Sequence, residues 1–180
     1  MKNQTYSINL CGKTVELPVI RIADTVSICF FNLHGNATLT EYCAEKLAPL
    51  LQGAEVILTA ESKGLQLAHC IARNLGHTHY AVARKSKKLY LQDGIQAQVQ
   101  SITTKEVQTL YLSAHDAALL KGKKVAIVDD VISTGGSLKG LEDLVTLANG
   151  QLIHKAAVLA EGDAKNRQDI TFLATIPILP

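Results

Sequence analysis

The sequence predicts an α/β fold: a central, mostly parallel, twisted sheet flanked by helices. Short β-rich runs alternate along the chain with stretches whose apolar residues recur at helical spacing. Residues 125–128 (VAIV) are apolar throughout, which is typical of a central parallel strand covered on both faces. A chain of 180 residues is long enough to bury an ordinary apolar core, so we expect one domain over residues 1–180.

The individual elements follow from these local patterns. β-branched and other apolar residues in short runs predict the strands, at residues 28–31, 56–59, 80–83, 125–128 and 156–159, with an edge strand at 170–173. Helical spacing predicts helices at residues 39–51, 64–75 and 137–147. The polar stretch 84–113 interrupts the alternation, and we expect it to form a hairpin-like excursion or mobile lid that stands off the sheet.

Composition excludes several classes of protein. The surplus of 18 basic over 16 acidic residues is too small to indicate binding to nucleic acid or to an anionic membrane. No apolar run approaches the roughly 18 residues that a membrane-spanning helix needs. The four cysteines are scattered without a C-x-x-C pair and the N-terminus does not resemble a signal peptide, so we expect buried thiols and a cytoplasmic location.

The most informative segment is residues 125–137 (VAIVDDVISTGGS), in which an apolar strand ends in two acids and a small-residue loop leads into a helix. Glycines and a helix N-terminus let backbone N–H groups converge on a terminal phosphate, and nearby serine and threonine hydroxyls add donors. Asp129 and Asp130 suit ribose hydroxyls or a magnesium ion, so the segment predicts a ribose 5-phosphate site. In the structural alternative, the two acids cap the helix and the glycines form a turn.

Two other phosphate-binding motifs are absent. Gly12, Lys13 and Thr14 end like a P-loop, but Ser7 stands where that motif needs its first glycine. No G-x-G-x-x-G follows any predicted strand, so the dinucleotide fingerprint is missing. The sequence therefore argues against nucleoside triphosphates and NAD as ligands.

Residues 129–137 (DDVISTGGS) resemble the signature of the type I phosphoribosyltransferases, and within that family the adenine and xanthine branch. The resemblance extends from about residue 56 to the C-terminus and more weakly before it. It implies transfer of the 5-phosphoribosyl group from phosphoribosyl pyrophosphate to a purine base, yielding a nucleoside monophosphate and pyrophosphate, as in purine salvage. It also implies Mg²⁺, carried mainly by the substrate rather than by an assigned protein ligand, and a homodimer.

The resemblance assigns roles to the residues of the motif. Asp129 and Asp130, here called the acidic pair, would hold the sugar as the catalytic residues. The phosphate loop, residues 133–137, would bind the 5-phosphate through Ser133, Thr134, Gly135, Gly136 and Ser137.

Two further segments match the same branch and would bind pyrophosphate. The first, here called the pyrophosphate loop, comprises Glu61, Ser62, Lys63 and Gly64 at the start of a predicted helix. By itself this pattern is equally typical of an ordinary strand, turn and capped helix. The second is the basic segment that contains Arg84, Lys85 and Lys88. Fixed cations suit a substrate with several phosphate charges, whereas Lys87 belongs to a solvated face.

The remaining family assignments concern the base and its cover. Residues 1–36 would form a hood over the base, in which Phe31 and Asn32 are the base-binding candidates and Phe30 is expected to pack in the core. Glu106 is the lid candidate for assisting proton transfer, against the alternative of a solvent-facing charge. The sequence leaves the choice between adenine and xanthine open.

A regulator that senses phosphoribosyl pyrophosphate without turnover is the alternative function. Purine-operon repressors resemble this chain, including a Lys-Gly pair like Lys63 and Gly64 and a Gln-Thr pair like Gln108 and Thr109. They carry an added N-terminal DNA-binding domain, for which the residues before the first predicted strand are too few. The weak net charge also disfavours DNA. We therefore expect small-molecule substrates and neither nucleic acid nor membrane as partners.

Overall fold

The computed structural model describes residues 4–88, 93–100 and 107–180. The predicted lid residue Glu106 lies outside these ranges. The strands are β1 (Thr5–Leu10), β2 (Lys13–Ala23), β3 (Val26–Cys29), β4 (Val56–Ala60), β5 (Ala81–Ala83), β6 (Ile95–Gln100), β7 (Val107–Leu112), β8 (Lys124–Ile132), β9 (Gln151–Glu161), β10 (Thr171–Ile176) and β11 (Ile178–Leu179). The α-helices are α1 (Ala37–Leu47), α2 (Leu65–Asn74), α3 (Ala114–Leu120) and α4 (Gly136–Leu147), and two 3₁₀ helices cover Ala48–Leu51 and Gly162–Asn166.

The central sheet has five parallel strands in the order β10-β9-β8-β4-β5, which confirms the predicted parallel α/β architecture. β4 is buried throughout, and so are residues 125–128 of β8, as their apolar run indicated. The chain leaves β4 toward β5 and later returns to the other side of β4 as β8. This reversal opens a crevice between the carboxyl ends of β4 and β8, where open α/β sheets bind their ligands.

A second, four-stranded antiparallel sheet of order β1-β2-β3-β11 lies beside the central one. The strand predicted at residues 28–31 is shifted in the structure, since β3 ends at Cys29, and it belongs to this antiparallel sheet. Strands β1, β2 and β11 were not predicted, because the apolar residues of β1 and β2 largely alternate with polar ones instead of forming a continuous run, and β11 has only two residues. The turn between β1 and β2 exposes Cys11, whereas the other three cysteines are buried as expected.

Two apolar layers cover the faces of the central sheet. One contains α1, α2 and the antiparallel sheet, and the other contains α4 together with β6 and β7. Helices α1, α2 and α4 match the predicted helices closely, while α3 was not predicted. Asn36 caps α1 by accepting a hydrogen bond from the Leu39 N–H at 3.1 Å. Within the described ranges, no helix combines the length and the apolar character needed to cross a bilayer.

Strands β6 and β7 form an antiparallel hairpin, as the stretch 84–113 predicted. The described part of this hairpin does not stand off the fold, however, because Ala97, Val99, Leu110 and Leu112 are buried in the layer that contains α4. Gly140 of α4 permits this close packing. A Cβ there would overlap the side chain of Val99 and lie 2.9 Å from Leu110 Cδ1. The hairpin therefore packs closely against α4 at Gly140, where no side chain separates the two.

We expect Gly140→Leu to lower the free energy of unfolding by about 2 kcal/mol, since the added side chain has no room between α4 and the hairpin. Thr146→Leu is the matched control, because Thr146 lies on the same helix and is exposed. Urea unfolding of both variants measures the difference. Equal stabilities would contradict the packing of β6 and β7 on α4.

Candidate active site

A cleft of about 400 Å³ opens at the carboxyl ends of β4 and β8. Five parts of the chain line it: the end of β3 with the residues that follow, the residues after β4, Lys85 after β5, the segment from β8 to the start of α4, and the ends of β9 and β10. These segments lie far apart in sequence and meet because the strand order brings their ends together. The cleft is the crevice that the topology predicts.

The acidic pair lies at the centre of this cleft. The sequence predicted a strand that ends in Asp129 and Asp130. In the structure, β8 continues to Ile132, so both residues lie within the strand. The Asp130 N–H donates to Asp129 Oδ1 at 2.9 Å. Burial, together with the charge of Asp130, raises the pKa of Asp129 to about 7. Two carboxylates are thus held close together in a poorly solvated place.

Asp130 also carries an unsatisfied atom. The residue is buried, and its Oδ2 has no hydrogen-bond partner among the described residues. A buried carboxylate oxygen without a donor is costly, so this atom indicates a place where a ligand donor is missing. Capping of α4 does not account for the pair, because the N-cap residue is Gly135, well beyond it.

The pyrophosphate loop connects β4 to α2 and faces the acidic pair. Glu61 accepts from Arg84 Nη1 at 3.0 Å and from the Lys85 N–H at 2.8 Å. Partial burial alone would raise the pKa of Glu61, but these two hydrogen bonds outweigh it and hold the pKa below its usual value. Glu61 is therefore an ionised carboxylate that positions the basic segment.

Lysine side chains lie around the pyrophosphate loop. Lys63 and Lys85 line the cleft, and the Lys63 Nζ lies 4.8 Å from the centroid of the Phe30 ring. Lys88 is exposed, and its charge acts on Glu61. The positive charges of these lysines offset the negative charge of the acidic pair, as a site for a ligand with several negative charges requires.

The phosphate loop encloses a smaller cavity of about 130 Å³ next to the main cleft. Gly135 has a left-handed backbone with φ of 84° and precedes the first residue of α4. Such a turn directs successive N–H groups, together with the N-terminus of α4, to one point. The cavity has the character of an anion site, with hydroxyls of Ser133, Thr134 and Ser137 around it.

A family comparison agrees with this geometry. The model of the phosphoribosyl transferase domain matches residues 36–177 of the chain. The chain belongs to the phosphoribosyltransferase family.

Individual relatives of this phosphoribosyltransferase carry two kinds of name. A xanthine phosphoribosyltransferase of Brevibacillus brevis is 28% identical over 170 residues, which is 93% of this chain and 83% of the relative. An adenine phosphoribosyltransferase of Petrotoga mobilis is 29% identical over 120 residues, or 66% of each chain. The crystal structure of an adenine phosphoribosyltransferase from Thermoanaerobacter pseudethanolicus superimposes with a TM-score of 0.67 at 24% identity, over 79% of this chain and 84% of that one. The structural likeness confirms the fold.

The phosphoribosyltransferase structure brings most of the predicted site residues together. The main cleft is lined by the acidic pair, Glu61, Ser62, Lys63, Lys85, Ser133 and Ser137. Thr134, Gly135 and Gly136 line the smaller cavity. Gly64 lies behind the loop against Asp129, and Arg84 reaches the site through Glu61. The roles of these residues in binding stay predictions.

The candidates for base binding are placed differently from the sequence analysis. Phe30, expected in the core, is only partly buried, and its ring faces Lys63. Phe31 is 3% exposed and belongs to the apolar core, although it also borders the cleft. Asn32 is exposed, does not line the cleft, and accepts a hydrogen bond from the His34 N–H at 3.1 Å. Strand β3 ends just before these residues, at Cys29.

Sequence reasoning missed two residues of the site. Glu161 is the last residue of β9 and lines the cleft. A polar residue directly after the apolar run 156–160 was the signal that could have found it. Arg167 lies beside the phosphate loop, where a Cβ on Gly135 would be 2.6 Å from its Nη1. No local pattern marks Arg167.

Arg167 is held in a fixed orientation. Its Nε and Nη2 donate to Asp169 at 2.9 and 2.7 Å. Asp169 is also paired with Lys155, which in turn contacts Glu142 of α4 at 3.0 Å. Arg167 and Lys155 hold the pKa of Asp169 well below its usual range. A fixed guanidinium therefore stands against the turn at Gly135.

We expect Gly135→Ala to weaken binding of ribose 5-phosphate by about 10- to 100-fold, because the new Cβ strains the backbone and displaces either the turn or Arg167. Gly122→Ala is the matched control: Gly122 also has a positive φ, of 70°, but open space around its Cβ position. Calorimetric titration should show unchanged binding in that variant. Equal losses in both would contradict the specific role of the turn.

Proposed function

We propose that this chain transfers the 5-phosphoribosyl group from phosphoribosyl pyrophosphate to a purine base. The products are a nucleoside monophosphate and pyrophosphate, as in purine salvage. One observation carries the proposal: the acidic pair and the phosphate loop lie on one strand, loop and helix and face the same cleft as the cations of the pyrophosphate loop. Sites for the sugar, the phosphate and the pyrophosphate would then be adjacent, in the arrangement that this substrate needs.

The chemistry needs placement more than a strong nucleophile. Pyrophosphate departs with the electron pair of its bond to the anomeric carbon, which develops positive charge. A ring nitrogen of the base then bonds to that carbon and releases its proton to the departing pyrophosphate or to water. Asp129 and Asp130 would accept hydrogen bonds from the 2′ and 3′ hydroxyls, which supplies donors to the unsatisfied Oδ2 of Asp130. Their negative charge also stabilises the nearby cationic carbon.

The leaving pyrophosphate would be bound at the pyrophosphate loop. Lys63 and Lys85 line that side of the cleft, and Glu61 fixes Arg84 and the Lys85 amide by its two hydrogen bonds. Exclusion of water is equally necessary, because water would otherwise capture the cationic sugar. Residues 1–36 as a hood and 84–113 as a lid remain our proposals for that cover.

The residues present fit Mg²⁺ brought in by the substrate. The acidic pair offers hard oxygen ligands, of which one is buried without a donor. No group of three or more His, Cys, Asp or Glu side chains among the described residues is arranged to hold a metal ion. Asp129 and Asp130 would therefore hold it through substrate hydroxyls and water. When bound, Mg²⁺ neutralises charge on the departing pyrophosphate.

The direct test mixes the protein with Mg²⁺, phosphoribosyl pyrophosphate and one of four bases: adenine, guanine, hypoxanthine or xanthine. We expect formation of the corresponding nucleotide and pyrophosphate with at least one base. Chromatography of the nucleotide and a coupled pyrophosphate assay measure the two products independently. Binding of phosphoribosyl pyrophosphate without product for any base would contradict the proposal and favour the regulator.

The proposal includes a homodimer, which the family resemblance implies, and a cytoplasmic location, which the scattered cysteines favour. Light scattering coupled to gel filtration tests the first, with a mass of about twice 19.4 kDa expected. A single-chain mass at assay concentration would contradict the dimer without affecting the transfer reaction.

A further inference from the structure

The cleft has two chemically different ends. One end carries the phosphate loop and the lysines of the pyrophosphate side. The other end lies where β3, β9 and β10 finish, and its lining is apolar, with Ile28, Phe30 and Ile176. A flat, largely apolar ring fits the second end, because apolar and aromatic side chains exclude water from its faces.

One carboxylate lies in this lining, and the Lys63 ammonium borders it on the side of Phe30, with Nζ 4.8 Å from the ring centroid. Glu161 closes β9 and pairs in register with Ile176 of β10, so its side chain enters the lining beside that isoleucine. It is partly buried, and its carboxylate makes no hydrogen bond or ion pair with any residue that the structure describes. Burial, with the charge of Glu161, raises the pKa of the Cys29 thiol, so the carboxylate and Cys29 are near neighbours.

An ionised carboxylate can only accept hydrogen bonds. A base edge that presents an exocyclic amino group supplies the donors that such an acceptor lacks. A carbonyl oxygen in the same place would leave two acceptors facing each other without a proton, which a partly buried site tolerates poorly. The ring N1–H of xanthine lies between two carbonyl oxygens and that of hypoxanthine lies beside one, and these oxygens would meet the same carboxylate.

We propose that Glu161 determines base specificity by accepting a hydrogen bond from an exocyclic amino group, so that this chain uses an aminopurine. The inference rests on the proposed transferase function and selects among its substrates. Adenine carries such a group at C6 and guanine carries one at C2, whereas hypoxanthine and xanthine carry none. Glu161 thereby acts on the base, at the end of the cleft opposite the phosphate loop.

The first test uses the unmodified protein with each of the four bases. We expect kcat/KM for adenine or guanine to exceed that for hypoxanthine and xanthine by about 10-fold or more, which is the usual size of discrimination by one buried hydrogen bond. The adenine and guanine arms distinguish the two aminopurines. Best turnover with xanthine or hypoxanthine overturns the inference and leaves the transferase function intact. Turnover with no base overturns the function itself.

The second test compares Glu161→Gln with Asp163→Asn, whose exposed carboxylate lies outside the cleft lining. Glu161→Gln should raise KM for the preferred aminopurine by about 10-fold, leave KM for phosphoribosyl pyrophosphate unchanged, and narrow the gap to the oxopurines. Asp163→Asn should leave all three quantities unchanged. Equal KM values for the base in Glu161→Gln and the unmodified protein overturn the inference, and thermal unfolding of both variants checks that they are folded.

Discussion

Asp129→Asn is expected to make the protein more stable and nearly inactive at the same time. At pH 8 the folded protein must keep Asp129 ionised beside Asp130, in a place where burial raises its pKa to about 7. In the unmodified protein the Asp130 N–H donates a hydrogen bond to Asp129 Oδ1 at 2.9 Å. Asparagine removes the charge of Asp129, and its side-chain oxygen can still accept this hydrogen bond. The free energy of unfolding should rise by up to about 4 kcal/mol, while turnover falls by about 100-fold or more.

The stability gain should depend on pH in a defined direction. In the unfolded chain an aspartate ionises near pH 4, whereas folded Asp129 keeps its proton to about pH 7. Between these values the folded state binds more protons, so this group lowers stability as the pH rises. The difference between Asp129→Asn and the unmodified protein should therefore be near zero at pH 4 and grow until about pH 8.

Urea unfolding at several pH values, with turnover measured alongside, tests both halves of this prediction. Asp143→Asn is the control, because Asp143 lies on α4 in a surface pair with Lys139 at 2.6 Å and such pairs contribute little. It should change neither stability nor turnover appreciably. A destabilised Asp129→Asn variant with normal turnover would show that the acidic pair is structural.

Gly64→Ala is expected to disrupt the contact between the pyrophosphate loop and the acidic pair. A Cβ at Gly64 would overlap the hydroxyl of Thr59 and lie 3.2 Å from Asp129 Oδ1. Thr59 is fully buried, so its hydroxyl cannot move into solvent. We expect a loss of about 2 kcal/mol in the free energy of unfolding and a fall in kcat/KM of about 100-fold, because misplacement by an ångström costs this much.

A second substitution at Thr59 separates this clash from other effects. Thr59→Ala removes the overlapping oxygen, whose hydrogen-bonding capacity is unused among the described residues, and should restore much of the stability of Gly64→Ala. Thr59→Val keeps an atom in the same place and should restore none. Coupling measured by a double-mutant cycle gives the size of the contact. Equal recovery with alanine and valine would refute the clash as the cause.

The parts of the fold that were predicted correctly depend on local patterns. Residues 125–128 are apolar throughout, and residues 137–147 follow helical spacing, so β8 and α4 were recognisable from short windows. β11 was not, because it has two residues and owes its existence to pairing with β3, far away in the sequence. Long-range pairing leaves little trace in local composition.

By itself, the sequence determined the nature of the reaction site. The acidic pair and the phosphate loop lie within nine consecutive residues. Their covalent connection keeps them together in any fold that places a strand before them and a helix after them. Tertiary structure alone decided what meets this segment: Arg167 at Gly135, Lys63 over Phe30, and Glu161 at the apolar end of the cleft. Those contacts join distant segments through the order of the strands, and the packing of whole layers sets that order.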